Sequence, residues 1–185
     1  MAREARFDAA RLDINAFAAA AGQLEGEAPQ SDFARLQDSL MQTPGDMAPP
    51  AVRWTATGAL RSLPGGATQP WLQLDARSQA TLQCQRCLQP VTVGLDIDRW
   101  FRFVGDEAEA ARLDEASEED VLVASSRLNL LELLEDELIL ALPLVPMHEV
   151  CTQPLPMPAP DLEASADEPH PFAALTALRR PGGKA

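Results

Sequence analysis

The chain is poor in the residue types that most catalytic sites and disulfide scaffolds need: its 185 residues include two histidines, three cysteines and no tyrosine. With so few imidazoles, candidates for general acid–base catalysis are scarce. The sequence also contains neither a G-x-S-x-G nucleophile turn nor a glycine-rich phosphate or dinucleotide loop. Three cysteines are too few to staple a fold, so we expect free thiols in a reducing compartment. These absences argue against an enzyme and against a disulfide-rich secreted protein.

Long apolar runs are absent as well. No stretch approaches the roughly 20 apolar residues that cross a membrane, and the sequence MAREARFDAARLD is charged, without the apolar core of a signal peptide. We therefore expect a cytoplasmic protein that makes no membrane contact. The 46% of hydrophobic residues is enough for a folded core, whereas 5% aromatic residues and 16 prolines predict irregular segments beside it.

Positive charge is scarce: 15 lysines and arginines stand against 28 aspartates and glutamates, which gives a net charge of −13. Such a chain is repelled by phosphate backbones unless its basic residues are concentrated locally, so a basic protein partner suits it better than broad nucleic-acid binding. Solubility alone is an equally good reason for the charge. The stretch 106–120 holds eight acidic residues and one arginine, and we expect it to be a solvated loop.

The middle of the chain alternates between apolar and polar residues, which is the period of a strand with one buried face. Between Leu72 and Cys84 the even positions are small or apolar except Ser78, and the odd positions are polar. Residues 91–103 repeat the pattern, and residues 52–60 repeat it more weakly. We predict an antiparallel β-meander of three to four strands, with 121–124 as the optional fourth and with closure into a barrel-like sheet left open.

The residues around this sheet predict helices, so the expected fold class is α+β. Residues 1–48 are expected to be a helical N-terminal segment, with one helix at 12–21 and a second capped by Ser31. Asn129 begins a helix at about 129–142, which Pro143 ends. Its apolar face is expected to cover the sheet, although such a face would also suit a partner protein. That face consists of Leu130, Leu131, Leu134, Leu138 and Leu142, and Glu132, Glu135 and Asp136 are expected to lie opposite.

These elements divide the chain into four parts. Residues 1–48 are the helical N-terminal segment, and residues 49–151 are the core domain of antiparallel strands and one helix. Residues 152–170 form a linker rich in Pro, Ala and acidic residues, and 171–185 form a short C-terminal helix with a tail. The C-terminal helix is expected to dock either on the domain or on a partner.

All three cysteines and one histidine occur in two pairs with the same short spacing. Cys84 and Cys87 form a C-x-x-C at the turn between two predicted strands. His148 and Cys151 form an H-x-x-C shortly after the predicted helix. Together the pairs would make a tetrahedral Cys₃His zinc site, but they are far apart in the chain and no glycine follows Cys87, so only the tertiary fold could unite them. A thiol redox pair and an ordinary turn with sulfur as a small hydrophobe remain open.

Three stretches of the sequence resemble the bacterial YceD family, whose members are called large ribosomal RNA subunit accumulation proteins. They are TLQCQRCLQPV at 81–91, EDELILALPLVPMH at 135–148 and HPFAALTALRR at 170–180. The resemblance implies support of 23S rRNA accumulation and of large-subunit assembly, without an enzymatic activity.

The resemblance also bears on the two cysteine-containing pairs. Cys84, Arg86 and Cys87 occupy the family's C-x-R-C motif. His148 and Cys151 fall where other branches of the family carry a second C-x-x-C. Those branches continue with a C-P-x-C-G stretch, whereas this chain reads TQPLP at 152–156. The resemblance thus favours a tetrahedral metal site, and the departure weakens a direct transfer of the metal to this chain.

Several classes of function follow from these observations. In the first, the protein binds a 23S rRNA precursor through a local basic face. The arginines of this face are Arg86, Arg99 and Arg102, to which Arg179, Arg180 and Lys184 of the tail would add. In the second, it is an acidic adaptor or chaperone that binds a basic large-subunit ribosomal protein through 106–120 and makes no RNA contact. A thiol redox or zinc module is a third hypothesis.

Overall fold

A computed structural model describes residues 7–41, 50–63, 65–117 and 119–151. Within these ranges the fold is α+β, with five strands in one sheet and four α-helices. In chain order the elements are α1 (Ile14–Ala19), β1 (Gln23–Pro29), α2 (Ala34–Ser39), β2 (Ala51–Ser62), β3 (Thr68–Gln83), β4 (Pro90–Val104), α3 (Glu107–Asp114), β5 (Asp120–Val123) and α4 (Leu130–Leu140). No helix in the described part of the chain is long and apolar enough to cross a membrane.

The predicted meander is confirmed in β2, β3 and β4, which pair antiparallel in chain order. Leu72, Leu74 and Cys84 are fully buried, as their alternation predicts. The sheet order is β1-β2-β3-β4-β5, and the described strands leave β1 and β5 as its two edges, so the sheet is open rather than barrel-like. β5 runs parallel to β4, because α3 carries the chain back before β5 begins. The sheet is therefore mixed, and the expectation of a purely antiparallel sheet is wrong.

β1 lies inside the segment that was expected to be helical. Its sequence, QLEGEAP, contains none of the β-branched or aromatic residues that signal a strand. It pairs antiparallel with β2, and Gly26 lies opposite Trp54. A Cβ atom on Gly26 would be 2.5 Å from the Trp54 ring, so the glycine makes room for this side chain. The N-terminal segment is thus a mixture of helix and strand.

The second predicted helix exists, but Ser31 does not cap it. Ser31 lies in a short 3-10 turn, Gln30–Asp32, and α2 has no side-chain cap from the residue that precedes it. The acceptor for the first backbone N–H groups of α2 comes from α4 instead. Glu135 Oε1 accepts from the backbone N–H of Arg35 at 2.7 Å and from that of Leu36 at 3.2 Å. Glu135 is buried, so its expected place on the exposed side of α4 is wrong.

α4 confirms the helix predicted at about 129–142. The Asn129 side chain caps it by accepting from the backbone N–H groups of Leu131 and Glu132. Its fully buried leucines cover one face of the sheet, and each contributes about 1.5–3 kcal/mol through burial. The same core takes side chains from the N-terminal elements. Its fully buried members from the helices and their flanks are Leu12, Ile14, Phe17, Leu36, Leu130, Leu134 and Leu138.

α3 lies within 106–120, which was predicted to be a solvated loop. Asp106 caps this helix by accepting from the backbone N–H of Glu109 at 2.8 Å. Acidic residues in the first turn favour a helix, because they face the positive end of its dipole. Ala110 packs with Val104 and Val121 on the face of the sheet opposite the main core, which we call the outer face. The charge density of this stretch therefore did not exclude a helix.

The predictions for 152–185 concern residues outside the described ranges. The linker at 152–170, the short helix within 171–185 and the basic tail residues therefore stay predictions.

Candidate metal centre

The turn between β3 and β4 places Cys84 and Cys87 in the interior. The Cys84 N–H donates to the Gln89 carbonyl, and the Leu88 N–H donates to the Cys84 carbonyl, both at 2.9 Å. Leu88 has a φ of +60°, the left-handed conformation that favours glycine. Leucine adopts this conformation at a cost of about 1–2 kcal/mol. Leu88 thus takes the place of the glycine that the sequence lacks after Cys87. Both thiols are buried.

The segment after α4 brings His148 and Cys151 to this turn. Pro143 cannot continue the helix, and the chain turns back across the end of β3. The Gln85 N–H donates to the Pro146 carbonyl at 2.9 Å. The His148 N–H then donates to Cys84 Sγ at 3.5 Å. These contacts join the two pairs, although Cys87 and His148 are 61 residues apart.

The four predicted ligand residues offer atoms that all lie within 4.8 Å of one another. Cys84 Sγ is 3.8 Å from Cys151 Sγ, and Cys87 Sγ is 3.4 Å from His148 Nδ1. With Zn–S bonds of about 2.3 Å and Zn–N bonds of about 2.0–2.1 Å, tetrahedral angles separate two sulfurs by about 3.8 Å and a sulfur from a nitrogen by about 3.6 Å. The observed spacings are close to both values. The arrangement can therefore hold a metal ion.

The His148 ring is oriented by a second contact. Its Nε2 lies 3.0 Å from the Pro90 carbonyl oxygen. A carbonyl only accepts hydrogen bonds, so the proton of a neutral imidazole belongs on Nε2. Nδ1 then presents its lone pair to the cysteines. Histidine ligands in metal sites have this arrangement, with the far nitrogen fixed by a carbonyl or carboxylate.

Arg86 folds back on the centre from the turn. Its Nε donates to Cys151 Sγ at 3.0 Å, and its terminal nitrogen donates to the carbonyls of His148 at 2.7 Å and Glu149 at 3.2 Å. The bond to Cys151 raises the pKa of the Arg86 guanidinium. The arginine thus supplies positive charge to a group of thiols and ties the H-x-x-C segment to the turn.

The thiols differ in their protonation. Burial alone would raise the pKa of Cys84, but the backbone N–H groups of His148, Arg86 and Cys87 stabilise its thiolate and lower the pKa to about 5. The Gln89 N–H acts to lower the pKa of Cys87, but burial and the neighbouring thiols outweigh it and raise that pKa. Cys84 is therefore available as a thiolate at neutral pH, and the thiolate is the form of cysteine that binds metal. All three cysteines are free.

The three arginines predicted to contact RNA lie in three different places. Arg86 contacts Cys151 and the backbone of the H-x-x-C segment at the candidate metal centre. Arg99 contacts the Asp120 carboxylate, which raises the pKa of the arginine, and lies 3.9 Å from Glu137. Arg102 lies on the outer face and bonds to the Gln69 amide oxygen. They do not form one basic cluster among themselves.

A group of aromatic and arginine side chains on the outer face was not predicted from the sequence. Arg61 stacks on Trp71 and Trp100 there, next to Arg102. One signal was available: Trp71 and Trp100 occupy the outer phase of their strands, where neighbouring positions are polar. A large aromatic side chain on the polar face of a strand often marks a contact that lies outside the core.

A five-stranded mixed sheet with a Cys₃His cluster at one strand end defines a small α+β domain with a candidate metal centre. The family model described as "Large ribosomal RNA subunit accumulation protein YceD" matches residues 72–179, more than half of the chain. The chain belongs to the YceD family. The matched stretch includes all four residues of the candidate centre.

One similar protein is the large ribosomal RNA subunit accumulation protein YceD of Haemophilus influenzae. It is 37% identical over 109 residues, which cover 54% of this chain and 59% of that protein. The chain thus aligns with somewhat more than half the length of this curated relative. No solved structure gives a significant match.

Proposed function

We propose that this chain is a non-enzymatic cytoplasmic factor that supports 23S rRNA accumulation and the assembly of the large ribosomal subunit. The observation that carries the proposal is the family match over residues 72–179. The name of the Haemophilus influenzae relative points to the same process. The scarcity of acid–base residues in the sequence fits a factor that acts by binding.

The proposal includes a structural zinc ion held by Cys84, Cys87, His148 and Cys151. Four protein ligands fill a tetrahedral sphere, and a filled sphere leaves no open position for water or substrate, as in structural zinc sites. The ion would join the β3–β4 turn to the segment after α4, and Arg86 would offset part of the negative charge of the thiolates. A redox pair is less well supported, because a histidine and a third cysteine stand at ligand spacing beside the two thiols.

The partner in this proposal is a 23S rRNA precursor or a large-subunit ribosomal protein. Of the three arginines predicted to bind RNA, Arg102 faces outward without a carboxylate partner among the described residues. A specific observation favours the adaptor alternative as well. A groove of about 830 Å³ on the outer face is lined by two arginines, Arg53 and Arg77, and by five acids. The acids are Glu25, Glu27, Asp75, Asp96 and Asp98. Such a groove suits a basic protein segment.

The biogenesis role is tested by deleting the gene and measuring the ratio of 23S to 16S rRNA. The expected result is a lower ratio, restored by the native chain. Crosslinking of the purified chain to pre-ribosomal particles, read out for RNA and protein, identifies the partner. An unchanged ratio together with no crosslinks to large-subunit precursors would contradict the role.

The metal is tested by elemental analysis of the purified chain. One zinc ion per chain is expected, and His148→Gln should lower the zinc affinity by at least about tenfold. His170→Gln, which changes the other histidine, is the matched control and should keep the ion. A native chain that purifies without metal and takes up none when zinc is added would exclude the centre. A Cys84–Cys87 disulfide in that chain would favour the redox alternative.

A further inference from the structure

The strand register brings five side chains together on the outer face. Arg61 on β2 lies opposite Gln69 on β3, and Trp71 on β3 lies opposite Arg102 on β4. Trp100 is two residues from Arg102 and therefore points to the same side. We call this group the Trp–Arg patch: Arg61, Gln69, Trp71, Trp100 and Arg102. It spans three adjacent strands of the sheet.

Arg61 is held in place by the two indole rings. Its guanidinium carbon is 3.9 Å from the centroid of the Trp71 ring and 4.2 Å from that of the Trp100 ring. The two ring centroids are 6.3 Å apart, and the rings meet at 67°. Cation–π contacts of this kind stabilise a long flexible side chain in one position. Because Arg61 is exposed, the patch presents a fixed planar cation to solvent.

The two arginines of the patch keep their charge available. In the described part of the chain, neither Arg61 nor Arg102 makes an ion pair, and the acceptor of Arg102 is the neutral amide of Gln69. The outer face elsewhere pairs its arginines: Arg53 contacts Glu27, and Arg77 contacts Asp96. The patch is thus a local positive site in a chain whose net charge is −13.

The patch also contains an unsatisfied donor. Trp71 is only 6% exposed, and its indole Nε1–H has no hydrogen-bond partner among the described residues. A buried donor left without an acceptor costs about 1–3 kcal/mol.

From these observations we propose that the Trp–Arg patch binds a short stretch of single-stranded RNA. Unpaired bases stack on aromatic rings and on guanidinium planes, and phosphates bind arginines that lack other partners. The inference deepens the proposed function, on which it rests, because it names the surface and the form of RNA that the factor would contact. It keeps Arg102 from the sequence prediction and adds Arg61, Trp71 and Trp100.

The surroundings of the patch favour a single strand over a duplex. Asp98 bonds to Gln73 and lies two residues from Trp100 on the same face, so negative charge begins about 7 Å away along the strand. α3 packs on the same face through Val104, which is two residues from Arg102. The first turn of α3 contains acidic residues. A rigid duplex would carry its phosphates across these acids, whereas a single strand can bend away after one or two nucleotides.

The test is binding of a single-stranded RNA of about 10 nucleotides to the full chain, by fluorescence anisotropy at several salt concentrations. Arg61→Gln should weaken binding about tenfold and reduce the slope of log affinity against log salt by about 0.7. Trp100→Leu should weaken binding about tenfold with the slope unchanged. Arg77→Gln removes a charge of the same face that is already paired, so it is the matched control and should change affinity less than about twofold.

A second probe, an RNA duplex of the same sequence, should bind more weakly than the single strand. The site is overturned if the native chain shows no saturable binding, if the duplex binds as well, or if Arg61→Gln and Trp100→Leu both bind like the native chain. Capture of a ribosomal protein that is lost in these variants, with no RNA binding, would replace the RNA site by a protein site. Because Arg61 is exposed, its variant should remain folded.

A complementation assay separates this inference from the proposed function. The native chain should restore 23S rRNA in the deletion strain, and the Arg61→Gln, Trp100→Leu double variant should not. Full restoration by the double variant would reject the patch and leave the biogenesis role intact. Failure of the native chain to affect 23S rRNA would reject the biogenesis role, and with it the surface proposed to serve that role.

Discussion

The cysteine–histidine centre and the contact between Arg35 and Glu135 both join segments that are distant in sequence, but they depend on different chemistry. At the centre, two cysteine sulfurs lie 3.8 Å apart, and thiolates at this distance repel each other unless a cation or protons intervene. At the second contact, Glu135 accepts two backbone N–H groups and the Arg35 guanidinium. The first contact therefore depends on a proton or a cation between its sulfurs, which the proposed zinc ion would supply, whereas the second is complete within the chain.

Metal removal is expected to have the largest effect and to act on the first contact alone. At free zinc 100 to 1,000 times its dissociation constant, a bound ion stabilises the fold by about 3–4 kcal/mol. A strong chelator should therefore lower the melting temperature and expose the segment around His148 to proteolysis. The measurement is thermal unfolding with and without chelator, followed by mapping of the cleavage sites.

The double variant Cys84→Ser, Cys87→Ser serves as the control for this experiment. It should melt no higher than the chelated native chain, because both thiols are buried, and the chelator should not lower its melting temperature further. A native chain whose melting is indifferent to chelator would show that the centre is held by its hydrogen bonds alone.

The next largest effect is expected from Glu135→Ala. The change leaves the backbone N–H groups of Arg35 and Leu36 without their acceptor at the start of α2, and we expect a loss of about 2 kcal/mol. Urea unfolding measures it. Glu132→Ala, also on α4 but with no side-chain partner in the described residues, is the matched control; it loses only a helix-dipole interaction and should change stability by less than about 1 kcal/mol. Equal effects of the two changes would contradict a capping role for Glu135.

Acidification should weaken the Glu135 contact in a defined direction. Burial alone would raise the pKa of Glu135, but the hydrogen bonds from Leu36 and Arg35 outweigh it, so the pKa in the folded state is below 4.5. The contribution of this carboxylate is therefore full above about pH 4.5 and is lost as the pH falls through the folded-state pKa. The difference in stability between the native chain and Glu135→Ala, measured from neutral pH to about pH 3, should shrink towards the acidic end. A constant difference would be inconsistent with this assignment.

Glu137→Gln should give the smallest effect, with the opposite sign. Burial raises the pKa of Glu137, and Arg99 at 3.9 Å compensates only in part. The ionised group therefore opposes folding above its folded-state pKa, and this cost disappears as the pH falls. The neutral glutamine should stabilise the chain at neutral pH by no more than about 1 kcal/mol, and it should gain nothing at about pH 4. Destabilisation at neutral pH would show that the Arg99 contact outweighs the burial of the carboxylate.

Local patterns made part of this molecule predictable from its sequence. The alternation in β3 and the leucine periodicity of α4 each arise from one element packing on one core, so they can be read without knowledge of the fold. The ligand set could be named because the chain has so few cysteines and histidines. Its geometry depends on the return of the chain after Pro143, which no local pattern encodes.

The features that the sequence did not predict depend on tertiary contacts. β1 lacks strand-forming residues and is fixed by pairing with β2, where Gly26 makes room for Trp54. α2 takes its N-terminal acceptor from Glu135, 100 residues away from Arg35 in the chain. The hydrophobic periodicity of α4 did not predict that Glu135 is buried, because its partner Arg35 belongs to another element.

The separation between the two halves of the cysteine centre also sets an order of events during synthesis. Cys87 is made 61 residues before His148. At about 5–20 residues per second, about 3–12 s pass before His148 and Cys151 follow the β3–β4 turn, and longer while the ribosomal tunnel encloses them. During that interval the two thiols belong to a nascent hairpin that α4 does not yet cover. His148 and Cys151 reach the β3–β4 turn only after α4 has formed. The cluster can therefore assemble only when the sheet and α4 have been synthesised.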